Sequence, residues 1–534
     1  AVAASPDRGA PLAGQFAPSA APAPAYGAKT GRCAGGDAFR QVINELQDAA
    51  KKSKREPVTA DDAVCAVAET FMRWNDQGPP RREVLAFVSQ WFGLPAPVLP
   101  PSIAVIDTED SRVIAERVVQ AVGNAVVNAS HPRLGLATQH ARRGATKVVV
   151  VLLDAPVEID PPFPKRLELG QKATLSGKLL GGLRSPEVAV SDAAGQLSTP
   201  QQPQGEAFKA DVACGDRPGR IVVEIRGQSE ERAGVVANLP VACGSQLPTS
   251  IALAPEPWPT DPAQAEQKVI ENINQERTAA GLAPLKLDPG VAGVARAISE
   301  DIASRGGSAG GDVADRMKRE GIASPLVLQS ASSERSVERA QDRLLASPSN
   351  RANIMNREVT NVGVGVVTKP DAEGKPLAYV TEIFTKELPP LDLAKTRDDL
   401  RAAVAQKRKD ARMTALKDEP LLDDVAQKYA EAIAASGGNL PKEKQSELTA
   451  PLTKTMRTLT ILSGAKPDPL DFAEEPQVTA VAKSLGVGTA QGKHPVLGRN
   501  AVYVVIMVGT PKGGEATQPA KASVKGSRKA SGAK

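Results

Sequence analysis

The segment Val269-Ile270-Glu271-Asn272-Ile273-Asn274-Gln275-Glu276-Arg277 spaces its apolar residues for one face of a helix, which stops at Gly281. Pro284, Leu285 and Leu287 follow. Asp288-Pro289 then supplies an N-cap with proline in the first turn of a second helix. Val291, Val294, Ala295, Ile298 and Ile302 give that helix an apolar stripe at three- and four-residue spacing, and Gly306-Gly307 ends it.

This unit recurs along the chain. An offset of 131 carries Arg277 to Arg408, Leu285 to Leu416, Val294-Ala295 to Val425-Ala426, and Gly306-Gly307 to Gly437-Gly438. Further on, Val362-Gly363-Val364-Gly365 recurs at an offset of 123 as Leu485-Gly486-Val487-Gly488. Each is followed by a polar loop and a β-type run, Leu377 to Phe384 and Ala501 to Val508. A constant offset broken once by a short deletion describes a duplicated domain. A fainter third occurrence lies upstream. Subtracting 227 takes Val269-Ile270 to Val42-Ile43, Asp288 to Asp61 and Val294-Ala295 to Val67-Ala68; subtracting 228 takes Val362-Gly363 to Leu134-Gly135.

Between the first two occurrences, the period changes. Arg166 to Leu169, Lys172 to Leu179, Glu187 to Asp192, Ala207 to Cys214, Arg220 to Ile225 and Gly234 to Cys243 read as six short strands separated by turn signals. They predict a small β-sandwich over 157–245. Residues 1–32 are rich in Ala, Pro and Gly and carry too little apolar bulk to fold. Residues 246–264 read as a stiff Pro-rich linker, and 511–534 as an unstructured basic tail.

Composition narrows function. The 534 residues are 41% apolar but only 3% aromatic, which disfavours stacking surfaces for single-stranded nucleic acid. Three histidines in the whole chain leave little for metal sites or general bases. The net charge of +5 resides in the tail, where Lys512, Lys521, Lys525, Arg528, Lys529 and Lys534 face Glu515 alone. The remaining body is neutral, without the basic balance of a nucleic-acid-binding domain. No apolar run approaches the roughly 20 residues that span a bilayer. A chain opening at Ala1 without Met reads as processed or truncated. The four cysteines form two local couples, Cys33 with Cys65 and Cys214 with Cys243. That pattern fits two disulfides of an exported protein; the other reading is four buried thiols in the cytosol.

One segment carries a recognisable set of motifs. It holds Ile273-Asn274-Gln275-Glu276-Arg277, Gly281-Leu282-Ala283-Pro284-Leu285-Lys286 and Asp315-Arg316-Met317. Ser347-Pro348-Ser349-Asn350-Arg351-Ala352-Asn353-Ile354-Met355-Asn356 and Val362-Gly363-Val364-Gly365 follow in order. This set resembles bacterial members of the CAP superfamily (SCP-like; cysteine-rich secretory, antigen 5 and pathogenesis-related proteins). The resemblance is good over 265–388, reaches 395–510 through the repeat, and is faint over 37–156; the CAP-like domains drawn from it run over 33–156, 265–388 and 389–510. It implies a multidomain α+β protein: three CAP-like α-β-α sandwich copies plus one small all-β, Ig-like sandwich.

In the family a cleft of two His and two Glu can hold a divalent metal. By resemblance its motif histidine falls at Asn350 here, and the repeat offsets place Val122 and Ala473 at the equivalent positions. The stretch where the family has Gly-Glu-Asn reads Val327-Leu328-Gln329-Ser330. Asn, Val and Ala replace neither a metal ligand nor a poised base, so no metal, cofactor or catalytic residue is expected. Gly306-Gly307-Ser308-Ala309-Gly310 spells a nucleophile elbow but follows a helix and lacks a histidine partner. His131 reads as a turn residue, and His140 and His494 as solvated hairpin positions.

The favoured reading is therefore an extracytoplasmic, non-enzymatic binding or structural protein of the cell envelope or extracellular space. Its partner would be an envelope or extracellular protein or polymer, anionic where the basic tail engages it. The alternatives are a secreted hydrolase acting on peptide or cell-wall material, and, by family analogy, a lipid or sterol carrier.

Overall fold

The computed structural model describes residues 14–28, 33, 36–74, 80–229, 233–253, 258–305, 312–371 and 373–513. The chain is a mixed α/β, multidomain protein and divides into two compact units. One comprises residues 1–316 with 326–385, the other residues 317–325 with 386–534.

In the first unit, Val362-Gly363-Val364-Gly365 lies in the strand Asn361–Pro370, inside a four-stranded sheet. The strand order is Lys286–Leu287, Asn361–Pro370, Pro376–Thr385, Val327–Glu334; the first pair is parallel and the other two antiparallel. Gly363 and Gly365 face the helix Pro289–Arg305, where a Cβ would lie 2.3 and 2.2 Å from backbone nitrogens of Ala292 and Arg296. The glycines are thus a close-packing requirement between strand and helix, not turn residues. Asp288 caps that helix, its Oδ1 accepting from the backbone N–H groups of Gly290 and Val291. On the opposite face Val362, Val364, Val366, Val380 and Phe384 pack against Val269 and Ile273 of the helix Pro262–Ala279 and Ala340 and Leu344 of the helix Val337–Ala346. The result is a helix–sheet–helix sandwich.

Two further sheets share this strand order and these strand senses. In the second unit the order is Lys417–Asp418, Ser484–His494, Gly498–Pro511, Met456–Ala465. Gly486 and Gly488 there sit 2.4 and 2.2 Å, at Cβ, from backbone of the helix Pro420–Ala435. Near the N-terminus the order is Thr59–Ala60, Pro132–His140, Thr146–Asp154, Ser102–Ile106. Gly135 meets Val64 backbone at 2.3 Å, and Ala137 stands in the second glycine register.

All six expected strands of 157–245 form, within Arg166–Leu167, Lys172–Leu179, Arg184–Ser191, Ala207–Ala213, Gly219–Gln228 and Ala233–Cys243. They belong to a three-stranded and a five-stranded sheet. Phe208, Ala210 and Val212 alternate inward along one strand, as a half-buried sheet requires. Their core does not close on itself. It is continuous with Val64, Phe71, Trp91, Val149, Val151 and Leu153 of the preceding segment. The strand Thr146–Asp154 is apolar on both faces, so one face serves its own helices and the other this shared cluster. Disulfides join Cys33 to Cys65 and Cys214 to Cys243, as the couples anticipate.

Three sequence expectations need correction. Residues 14–28, expected to be unstructured, are ordered. Gln15–Phe16 pairs with Ile251–Ala252, and Ala25–Tyr26 with Phe163–Pro164. Tyr26 is buried with its hydroxyl donating to the Pro240 carbonyl at 2.7 Å, and Phe16 packs on Phe71 and Trp74. A few large apolar anchors and borrowed strand pairing suffice where average composition argues against folding. The linker 246–264 likewise contributes Ile251–Ala252 to that pairing, and its last residues already belong to the helix Pro262–Ala279, capped by Asp261. The final strand runs to Pro511, and Lys512 donates its backbone N–H to Thr455; the rest of the tail, 514–534, lies outside the described residues.

Candidate functional site

The motif 347–356 folds into the short helix Pro348–Ile354, entered from Ser347 with proline at its first position. The polar groups of the motifs are used internally. Arg277 is buried and donates from Nε to Ala283 O at 2.9 Å, and from Nη1 to Ile354 O and Asn356 O at 2.7 and 2.8 Å. Burial brings its guanidinium down to about 10. Asn274 exchanges two hydrogen bonds with the Leu285 backbone, and Asn353 donates to Gln329 O and Ser330 Oγ. Arg277, Asn274 and Asn356 therefore staple helix to loop; they do not converge on an open cleft.

Asn350 is half-buried on this helix. Val122 and Ala473 lie in apolar clusters. The carbonyls that receive Arg408, those of Val478 and Ala480, stand 124 residues after the two that receive Arg277. That spacing sets Glu474 rather than Ala473 level with Asn350. Glu474 is exposed and pairs with Lys407. These residues do not fit a divalent metal: each stands in a separate copy, where enclosed Val122, the single amide of Asn350 or a Glu474 already paired with Lys407 is at most one ligand.

The remaining candidates are scattered. Residues 306–310 lie outside the described residues. His131 is half-buried, its own backbone N–H donating to Asp154 Oδ1, and burial lowers its pKa. His140 is exposed, with Nδ1 3.3 Å from Glu109. His494 differs from the solvated position expected of it. Its Nδ1 accepts from the backbone N–H groups of Val496 and Leu497 while its ring lies against Tyr503, so it caps the turn.

The sequence gives no sign of the site that folding does create. Within the first unit, the helix Arg82–Trp91, the β-rich strands and the helices Pro262–Ala279 and Pro348–Ile354 enclose a cavity of about 410 Å³. Phe87, Trp91 and Tyr26 give it aromatic walls; Lys165, Arg220, Arg351 and Glu276 are its charged residues. Lys165 is 3% exposed and donates from Nζ to Trp91 O at 3.0 Å. No carboxylate among the described residues pairs with it, and burial brings its pKa to about 8. Arg351, also buried, reaches Glu276 Oε2 at 3.1 Å and Arg220 O at 3.4 Å. Arg220 shares the same Glu276 oxygen at 3.8 Å. Arg351 Nε is enclosed without a partner. Arg351 and Glu276 stand in motifs that sequence reading singles out. Lys165, in Pro164-Lys165-Arg166, looks like any surface lysine.

This helix–sheet–helix architecture with the stapled motif helix agrees with comparison to known proteins. Residues 270–384 match the CAP model, the cysteine-rich secretory protein family. The chain thus carries a CAP domain. Similar solved structures include an outer surface protein of Borrelia burgdorferi, at 16% identity over 22% of this chain and 90% of that one, TM-score 0.20. A cysteine-rich secretory protein of Staphylococcus aureus is 14% identical over 31% of this chain and 56% of its own, TM-score 0.20. An extracellular SCP-domain protein of Bacillus anthracis is 16% identical over 47% and 81%, TM-score 0.21. No curated protein matches the chain.

Proposed function

We propose that this is an extracytoplasmic, non-enzymatic binding or structural protein, assembled from three CAP-like copies and an Ig-like β-sandwich. The observation that carries the reading is the use made of the motif helix Pro348–Ile354. Where a catalytic cleft would need this helix open to solvent, its Arg351 is buried against Glu276 and the Arg220 carbonyl of the β-rich segment. Asn238 of that segment donates to Ala346 O at 2.6 Å, and Gly195 packs against Met355. The helix is spent on joining parts of the chain. The two disulfides support an oxidising compartment. The common strand order of the three sheets supports the three-copy reading. The basic segment 511–534 supports an anionic envelope polymer as one partner.

The test is recovery of the full chain from the source cell's extracytoplasmic fractions, followed by incubation with peptide and cell-wall substrates. Both disulfides should be intact and turnover should not exceed that of an unfolded control. Sustained hydrolysis, or free thiols on chain recovered from the cytoplasm, overturns the reading.

A further inference from the structure

We propose that the edge strand Ser102–Ile106 pairs with the same strand of a second copy of this chain, joining two N-terminal sheets across a two-fold axis. Among the described residues this strand bonds to Thr146–Asp154 alone, so every second residue along it turns its N–H and C=O away from the sheet. The strands at the same place in the other two sheets, Val327–Glu334 and Met456–Ala465, are also edges. What the three edges present to solvent differs. Ile103 and Val105, opposite Val149 and Lys147, are 36% and 65% exposed. The matching registers hold Ala331 and Ser333, opposite Thr381 and Tyr379, in one sheet. In the other they hold Ser463 and Ala465, opposite Val505 and Tyr503. Two of the edges thus carry small or polar residues where the N-terminal one carries large β-branched ones. Its second face is open as well. Ala104 and Ile106 border a groove of about 380 Å³ beside the helix Ser111–Asn128, lined further by Val118, Val148 and Val150.

The strand is complementary to itself. In an antiparallel pair, outward-facing backbone groups must meet outward-facing ones, which for a strand against its own copy requires residue numbers of even sum. Centred on Ala104, that register sets Ser102 against Ile106 and Ile103 against Val105. The exposed pair of each chain therefore lies beside the exposed pair of the other, a cross-strand β-branched contact on each side of the axis. No charge lies between Ser102 and Ile106, and each Asp107 falls opposite Pro101, at the far end from its counterpart. No like charges meet along the strand. On the neighbouring helix the exposed Glu116 and Arg117 have opposite signs, so two copies side by side present no single-sign patch to each other. A two-fold contact closes on itself and consumes an apolar edge that would otherwise invite open-ended aggregation.

The experiment is sedimentation equilibrium of the full-length, disulfide-intact chain over a wide concentration range. A reversible monomer–dimer equilibrium is expected. Val105→Lys, whose side chain stands in water in the monomer, should weaken the dimer at least tenfold while leaving the melting temperature within a few degrees. Ala331→Lys, at the position matching Ile103 in the second sheet, should leave the equilibrium unchanged. Ala104→Cys should be joined into a covalent dimer by a short bismaleimide. Leu99→Cys should not, because the two copies of residue 99 lie roughly 30 Å apart in this register. A dimer indifferent to Val105→Lys, or one cross-linked at 99 and not at 104, overturns the proposal. So does a chain that stays monomeric at every concentration; if an unrelated peptide of alternating Val and Thr then slows amide exchange in Ser102–Ile106, the edge serves a foreign strand instead.

Discussion

Residues 262–385 and 393–511 build the same sheet, seat it on glycines and staple it with a buried arginine, yet differ sharply in what that sheet carries. In the first, Glu382 lies between Ser330 and Val364 in the sheet, on the face covered by the helix Val337–Ala346. In the second, the same register holds Ile506, between Leu462 and Val487. Near the N-terminus it holds Val150. Glu382 is wholly buried beside an equally buried Gln341, and neither carboxylate nor amide makes a hydrogen bond of ordinary geometry. Burial pushes its pKa up to about 8. The two regions teach that backbone approach and stapling define this sandwich, whereas the layer between sheet and helix accepts even an unsatisfied acid at an energetic cost.

The strongest test of their equivalence is the arginine. Arg277 and Arg408 donate in the same pattern, Nε to a carbonyl six residues on and Nη1 to two carbonyls just before the strands Asn361–Pro370 and Ser484–His494 respectively. Each →Ala variant should lose about 3–5 kcal/mol, since three carbonyls lose a charged donor inside the protein. Hydrogen exchange resolved to each sheet is the measurement. A loss at Arg277 without one at Arg408 would break the comparison. In the N-terminal segment Ala50 is buried at the matching offset, so that segment has no arginine to lose.

Next in size is the acid. Because the folded-state pKa of Glu382 is raised, the folded chain binds the proton more tightly than the unfolded one. Its contribution to stability is greatest below about pH 4.5 and falls as pH rises towards 8. Glu382→Gln should therefore match the parent at pH 4 and exceed it by several kcal/mol at pH 9. Urea denaturation across that range checks it. The mirror change, Ile506→Glu, should import the same pH dependence into the second unit; a flat profile there would show that the two helix-facing layers differ in solvation.

The smallest effect concerns the glycine seats. Gly365→Ala and Gly488→Ala should each cost about 1–3 kcal/mol, because Cβ would press on helix backbone 2.2 Å away. Ala137→Gly, the converse in the N-terminal segment, should change thermal stability by less than about 1 kcal/mol. Equal tolerance at all three sites would remove close approach as the reason for the motif.

Much of this architecture is legible in the amino acids. Helix 289–305 follows from Asp288-Pro289 and its apolar spacing, and the six β-type runs of 157–245 follow from alternation and turn residues, because capping and periodicity are local. The repeat is legible for the same reason: Val362-Gly363-Val364-Gly365 and Leu485-Gly486-Val487-Gly488 obey one packing rule against neighbouring helices. The disulfides follow from cysteine arithmetic. The ordered stretch 14–28 escapes such reading, since Phe16 and Tyr26 gain their burial from residues about 55 to 235 positions away.

Residue types and their spacing thus determine the CAP resemblance and the recurrence of the helix–sheet unit, both set by interactions within a few turns of chain. The cavity at Lys165, the embedding of Arg351 and the burial of Glu382 are fixed only on folding. Charge in a sequence has no sign of its surroundings: the same lysine is a solvated surface group or an uncompensated buried cation according to which distant segments close around it.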